Sequence, residues 1–254
     1  MERYGCTAIF APCVIQQLYL EKLARAGDKD VPVALAVFIA RDVACALAEL
    51  HSRHIIHRDI KGENILIDLE EKRDDGSPIV KLCDFDRAIP LRSSLHSCCI
   101  AHTGIPPPDV CVGTPQWMAA QVFRTMDKRD MYGLEVDIWS FGCLLLVLLT
   151  PQFPYSDIPE TYIHGFLKIG KRPCLTEELE ELTDTGMEWE DIVIVQLDVE
   201  LKGLQNESKI LKSLVALDYW CTESNAKDRP TAKKLYNLLA HASSVVGSIS
   251  LEQE

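Results

Sequence analysis

The sequence is short of the features that mark several large protein classes. Its 254 residues include ten Cys, about four per cent, well below a disulfide-built scaffold. Cations are in deficit: 26 Lys and Arg face 38 Asp and Glu, a formal net charge of −12. That balance excludes a nucleic-acid-coating surface and a polybasic membrane patch, so neither nucleic acid nor membrane is expected as a partner. Long hydrophobic runs are missing. Cys143 to Leu149 has seven residues and Val33 to Ala40 eight, against the ~20 of a spanning helix. No apolar signal core precedes Pro12, and free thiols in a reducing, cytoplasmic setting are expected. Fixed-period repeats and low-complexity tracts are also absent. What is left, 47% hydrophobic and 25% charged residues, is globular composition.

Hydrophobic spacing supplies the elements. Leu18, Leu20 and Leu23 predict a short helix over Ile15–Ala26, stopped by Gly27. After Pro32, the spacing of Leu35, Ile39, Val43, Leu47 and Leu50 predicts a core-facing helix from Val33 to Ser52. Ile55-Ile56, Ile65–Ile67 and Ile79–Cys83 are β-prone, the last two joined by a charged turn that reads as a small hairpin. Arg87 to Val112 contains Pro106-Pro107-Pro108 and no period, the mark of a long functional loop. Val136–Leu149 is almost uniformly apolar and predicts a helix buried on all sides. Shorter helices are expected near Glu160–Ile169, Ile192–Gln205, Ser208–Cys221 and Thr231–Ala242. The acidic stretch Thr176–Glu190 reads as a solvated loop or linker, and Ser243–Glu254 as a polar, fraying tail. The fold class is mainly α with a small β-hairpin.

Four segments carry chemistry at fixed spacing. His57-Arg58-Asp59-Ile60-Lys61-Gly62-Glu63-Asn64 matches the pattern H-R-D-L-x-x-x-N, with Ile60 for Leu. Asp84-Phe85-Asp86 follows the second hairpin strand, twenty residues after Asn64. Gly113-Thr114-Pro115-Gln116-Trp117-Met118-Ala119 closes the long loop, and Asp137-Ile138-Trp139-Ser140-Phe141-Gly142 opens the buried helix. On these motifs the chain resembles eukaryotic protein kinases, specifically their C-terminal lobe, and through Lys61 and Thr114 their serine/threonine type.

The resemblance implies MgATP-dependent phosphoryl transfer to protein hydroxyls. Asp59 would orient the substrate hydroxyl and take its proton, Lys61 would neutralise charge on the transferred phosphoryl group, and Asn64 and Asp84 would hold Mg²⁺. Catalytic residues are then Asp59, Lys61 and Asn64, and ATP and Mg²⁺ bind at Lys61, Asn64 and Asp84. Arg58 would pair with a phosphate or a substitute acid on the long loop. Asp137 would be structural, accepting backbone N–H groups of the catalytic loop. A protein substrate or partner protein is implied.

Several positions depart from the family pattern. Asp86 stands where the family has Gly, a position that permits positive φ; Asp tolerates that conformation better than most residues. Ala120-Gln121 replace the Pro-Glu of the A-P-E motif, whose Glu would pair with the residue matched here by Arg229. Before His57 the only Gly are Gly5 and Gly27 and the only Lys are Lys22 and Lys29, so neither a G-x-G-x-x-G loop nor a strand Lys is found. The domain layout expected is an unassigned segment 1–15, a partial kinase domain (C-lobe only, N-lobe absent) over 16–242, and the tail 243–254. A kinase so truncated is expected to be weak or inactive as an isolated chain. The alternatives are a non-catalytic pseudokinase acting as an interaction module, self-associating or partner-binding through its exposed lobe, and a truncated gene product.

The run His51–Leu69 and the loop Ser97–His102 suggest the plant kinases of the tyrosine-kinase-like group that carry leucine-rich repeats. His96, Cys98, Cys99, His102 and Cys111 read either as a Zn²⁺ clip or as exposed loop thiols. Ser93, Ser94, Ser97 and Thr103 read as regulatory phosphorylation sites or as solvated hydroxyls.

Overall fold

The computed structural model describes residues 13–14, 31–91, 111–124, 132–150, 152–183, 186–198 and 205–250. The expected helix over Ile15–Ala26 and the Cys, His, Ser and Thr residues between 92 and 110 lie outside these. Strand β1 is Cys13–Val14. Helix α1 spans Val33–Ser52 and buries Ile39, Val43 and Leu47 of the expected face, with Leu35 and Leu50 half-buried. Strand β2, Ile55–Ile56, follows. Strands β3, Ile65–Lys72, and β4, Pro78–Leu82, form the expected hairpin, with Ile65 opposite Leu82 and Ile67 opposite Val80.

Two pairings were not legible in the sequence. β1 lies antiparallel to β3, with Cys13 opposite Ile67, so the segment expected to be unassigned contributes a sheet edge. β2 pairs with β5, Ile89–Pro90, at the start of the expected loop. Two-residue strands carry no periodicity, and only the partner reveals them.

The second half of the chain is helical. Helix α2 is Ala120–Arg124, α3 Glu135–Leu149, α4 Glu160–Lys168, α5 Glu177–Glu180, α6 Trp189–Asp198, α7 Gln205–Cys221 and α8 Ala232–Ser250. Every residue of α3 from Val136 to Leu149 is buried, as its uniform apolarity predicted. The acidic stretch is not a plain loop: α5 and a 3₁₀ turn at Glu181–Thr183 lie within it, and Leu179 and Leu182 pack against the core. No described helix is long and apolar enough to cross a membrane.

The expected tail is corrected as well. Helix α8 continues through Ser243 to Ser250, with Ser243 and Val246 buried. α8 packs along α1, the most extensive helix–helix contact among the described residues. The Ser243 hydroxyl accepts from Arg41 of α1 at 2.6 Å, across 202 residues of sequence. Tertiary packing thus sustains a helix that Ser, Val and Gly favour only weakly. Arg41 also reaches Asp42, Asp75 and Ser77, which ties the hairpin turn to the same junction.

One buried group is left under-satisfied by the packing of α3 on α7. Asp218 of α7 is 2% exposed, and its Oδ1 has no hydrogen bond among the described residues. Burial raises its pKa to about 8, with the Arg172 charge only partly opposing.

Candidate active site

The loop between β2 and β3 hangs from the buried helix α3. Asp137, fully buried, accepts the Arg58 N–H at 2.9 Å through Oδ1 and the His57 N–H at 2.8 Å through Oδ2. His51 Nε2 lies 3.0 Å from the same Oδ2. A carboxylate has the lone pairs for all three donors, and no neutral side chain of its size matches it. The two N–H groups held this way flank a strained backbone: Arg58 has φ 68°.

His57 completes the frame. Its Nδ1 accepts the Asp59 N–H at 3.3 Å, so Nε2 carries the proton toward the Cys83 carbonyl, 3.2 Å away. Burial lowers its pKa against the nearby Asp137, Asp59 and Asp84 charges, which suits the neutral ring that this network needs. Phe85 meets the ring edge-on, at 5.0 Å between centroids, and is 48% exposed.

Asp59 sits at the centre, 3% exposed. Its Oδ1 accepts the Thr114 hydroxyl at 2.8 Å, and its Oδ2 accepts Asn64 Nδ2 at 3.1 Å. Lys61 Nζ lies 3.2 Å from Oδ2 and donates to Thr114 Oγ1 at 2.9 Å. Burial alone would raise the Asp59 pKa. Hydrogen bonds from Thr114 and Lys61, with the Lys61 and Arg87 charges, outweigh it and hold the carboxyl below the usual range. The group at the centre of the pocket is therefore an ionised acceptor at neutral pH.

Thr114 reaches Asp59 because Gly113 lets the chain pass close to the catalytic loop. Gly113 has φ 137°, and a Cβ there would lie 2.7 Å from the Arg58 carbonyl oxygen. Behind it, Ser140 of α3 donates to the Trp117 carbonyl at 2.7 Å and fixes the turn Pro115–Trp117.

The expected metal residues fit Mg²⁺. Asn64 spends its amide nitrogen on Asp59, and its carbonyl accepts the Cys83 N–H at 2.9 Å. Its side-chain oxygen makes no hydrogen bond among the described residues. Asp84 follows directly on Cys83, with φ 61°, and its exposed carboxylate has no ion partner among the described residues. Both are hard oxygen donors, Asp84 exposed and Asn64 buried. Mg²⁺ takes few protein ligands and completes its shell with water and phosphate. Among the described residues, no cluster of three His, Cys, Asp or Glu is placed to hold a metal ion. Asp84, not Asp86, adopts the left-handed backbone, so the family's Gly position makes no such demand here.

Gln121, in the A-P-E-like position, accepts from Arg229 Nη2 at 3.3 Å through Oε1. Arg229 also donates to the Glu223 and Glu135 carbonyls and stacks on Trp139. Burial lowers its pKa to about 10. The contact survives as a hydrogen bond from the charged guanidinium to a neutral acceptor, in place of an ion pair.

Arg87 was not legible as a site residue. Its Nη1 lies 3.3 Å from Asp59 Oδ1, and its carbonyl accepts Arg58 Nε at 2.6 Å. No motif marks it. Its only sequence signal is that it directly follows Asp84-Phe85-Asp86.

The Protein kinase domain family model matches residues 11–239, which takes in β1 and starts before the expected boundary at 16. The chain is 33% identical over 230 residues to mitogen-activated protein kinase kinase kinase 1 of Arabidopsis thaliana, covering 90% of this chain and 29% of that protein. It is 32% identical to the serine/threonine-protein kinase fray1 of Dictyostelium discoideum, over 73% of this chain and 29% of that protein. Against the serine/threonine-protein kinase pakC of the same organism it is 30% identical, over 75% of this chain and 34% of that protein. The chain thus spans about a third of the length of these relatives. Matched over most of its length and built around an ionised Asp59 on a catalytic loop, it belongs to the protein kinase domain family, with serine/threonine kinases among its relatives.

Proposed function

We propose that this chain carries the phosphoryl-acceptor and metal-binding half of a serine/threonine protein kinase that works on MgATP and a protein hydroxyl. The carrying observation is the arrangement at Asp59: a buried, ionised carboxylate bonded by Thr114, Asn64 and Lys61. Asp59 accepts the proton of the substrate hydroxyl as that oxygen bonds to the γ-phosphorus and the bond to the bridging oxygen of the departing ADP breaks. Lys61 neutralises charge on the transferring group, and Thr114 keeps Asp59 turned toward it. Asn64 and Asp84 hold Mg²⁺, which supplies charge neutralisation on the nucleotide phosphates.

The finer assignment is a C-lobe that lacks, within this sequence, a Gly-rich loop and a strand Lys, and that is weak or inactive alone. The plant leucine-rich-repeat kinases of the tyrosine-kinase-like group are the proposed relatives, and the cytoplasm the proposed location. One observation favours a second reading as a non-catalytic interaction module: the Phe85 ring stands 48% exposed on the catalytic frame, an apolar surface that a partner or a second copy of the chain covers in this reading.

Calorimetry of MgATP binding, with Asp84→Ala as control, separates the two. Saturable binding that the control abolishes is the expected result, with any residual phosphotransfer lost in Asp59→Asn. No binding at millimolar nucleotide by folded protein would sink the catalytic reading and leave the interaction module.

A further inference from the structure

Among the described residues, Arg87 carries a buried donor without a hydrogen bond. Its Nη1 is shielded from solvent and stands 3.3 Å from Asp59 Oδ1, although the side chain as a whole is 40% exposed. The two facts agree once the acceptor is considered: Oδ1 already takes the Thr114 hydroxyl, and the guanidinium N–H is not aligned with it. Arg87 cannot simply swing away at its root, because its carbonyl is held by the buried Arg58. Asp84 and Asp86, the other carboxylates of the segment, are exposed and form no ion pair with Arg87 among the described residues.

The charge count at Asp59 is uneven. Lys61 approaches one carboxylate oxygen and Arg87 the other. Two cations share one buried anion, and Arg87, partly exposed as a side chain, keeps at its shielded Nη1 a donor without a hydrogen bond among the described residues, which is costly where water does not reach it. Arg is also the side chain whose planar fork matches a phosphoryl group, where several oxygens share the charge.

We propose that Arg87 is a phosphoryl-binding residue, whose Nη1 donates to an oxygen of the nucleotide's terminal phosphoryl group on the side of Asp59 away from Lys61. This rests on reading the pocket as a phosphoryl-transfer centre. Lys61 and Arg87 then form a two-sided clamp, and the excess positive charge at Asp59 is met when the anion arrives.

The test uses the full chain. MgATP and MgADP binding are measured by calorimetry for wild type, Arg87→Met and Arg87→Lys. In parallel, inorganic phosphate is titrated against the Arg87 Nε–Hε resonance of the wild type. Arg87→Met is expected to weaken MgATP binding about 10- to 100-fold, the worth of one charge-assisted hydrogen bond, and to leave MgADP unchanged. Arg87→Lys recovers part of the loss, and phosphate shifts the Arg87 resonance saturably. Equal losses for MgATP and MgADP would overturn the proposal, as would unchanged MgATP binding without a phosphate-dependent shift. Tighter MgATP binding in Arg87→Met would overturn it too, making Arg87 a latch on Asp59. If the wild type binds neither nucleotide, the kinase reading falls by itself, and the phosphate titration alone decides whether Arg87 binds a phosphoryl oxyanion.

Discussion

Replacing Asp137 by Ala removes the acceptor from which the catalytic loop hangs. Three donors lose their partner at once: the His57 and Arg58 N–H groups and His51 Nε2. His57 is fully buried and Arg58 nearly so, so water does not readily replace the lost carboxylate. Each unmade buried donor costs about 1–3 kcal/mol. The two backbone groups alone therefore set an expected loss of about 2–6 kcal/mol, against a total of about 5–15 kcal/mol for an ordinary domain. Asp137→Asn is informative beside it. The amide presents one oxygen to two N–H groups and turns its own N–H₂ toward the other, so it recovers at most one of the two bonds. Urea unfolding at neutral pH, with constant m, reads both losses as midpoint shifts. The expected order is wild type, then Asp137→Asn, then Asp137→Ala. A loss below about 1 kcal/mol for the Ala variant would refute the claim that this buried carboxylate, rather than the loop's own contacts, holds the loop.

Three further outcomes follow from the geometry. Asp218 has a native pKa of about 8 against about 3.9 unfolded, so the native state holds an extra proton between those values. Its contribution is full below the lower value and lost as pH rises through about 8. Asp218→Asn is therefore expected to flatten the decline of stability between pH 4 and 8 and to exceed wild type at the alkaline end; parallel urea midpoints across that range would refute this. Gln121→Glu gives the buried Arg229 a counter-charge at the 3.3 Å contact and is expected to add about 1–2 kcal/mol at neutral pH. That gain vanishes as acid protonates the new carboxyl, and an unchanged melting temperature at pH 7 would contradict it. Gly113→Ala places a Cβ 2.7 Å from the Arg58 carbonyl. It is expected to lower stability by roughly 1–3 kcal/mol and to weaken MgATP binding through displacement of Thr114, whereas a variant matching wild type in both would show that the approach is not tight.

What the sequence disclosed and what it hid divide along physical lines. Helices α1 and α3 were legible because each has one dominant environment: a striped face for α1 and complete burial for α3. Asp59, Lys61, Asn64 and Asp84 could be proposed from the sequence because the kinase motifs hold such residues at fixed spacing. The end of α8 was hidden because Ser243–Ser250 is weakly helical by composition and is held by a partner about two hundred residues away, Arg41. Arg87 was hidden for the same reason, since its meaning comes from Asp59 across 28 positions of chain. Gln121 stood between these cases. The motif predicted its partner, Arg229, but only the structure showed a neutral acceptor serving three-way with two backbone carbonyls.

The junction of α1 and α8 sets a clock on synthesis. Arg41 leaves the ribosome 202 residues ahead of Ser243, and translation at about 5–20 residues per second puts roughly 10–40 s between them. During that interval α1 waits without α8, the helix it packs against in the finished fold. The nascent chain is then a client for chaperones, and slowing translation upstream of α8 lengthens its exposure to aggregation and proteolysis without altering a single native contact.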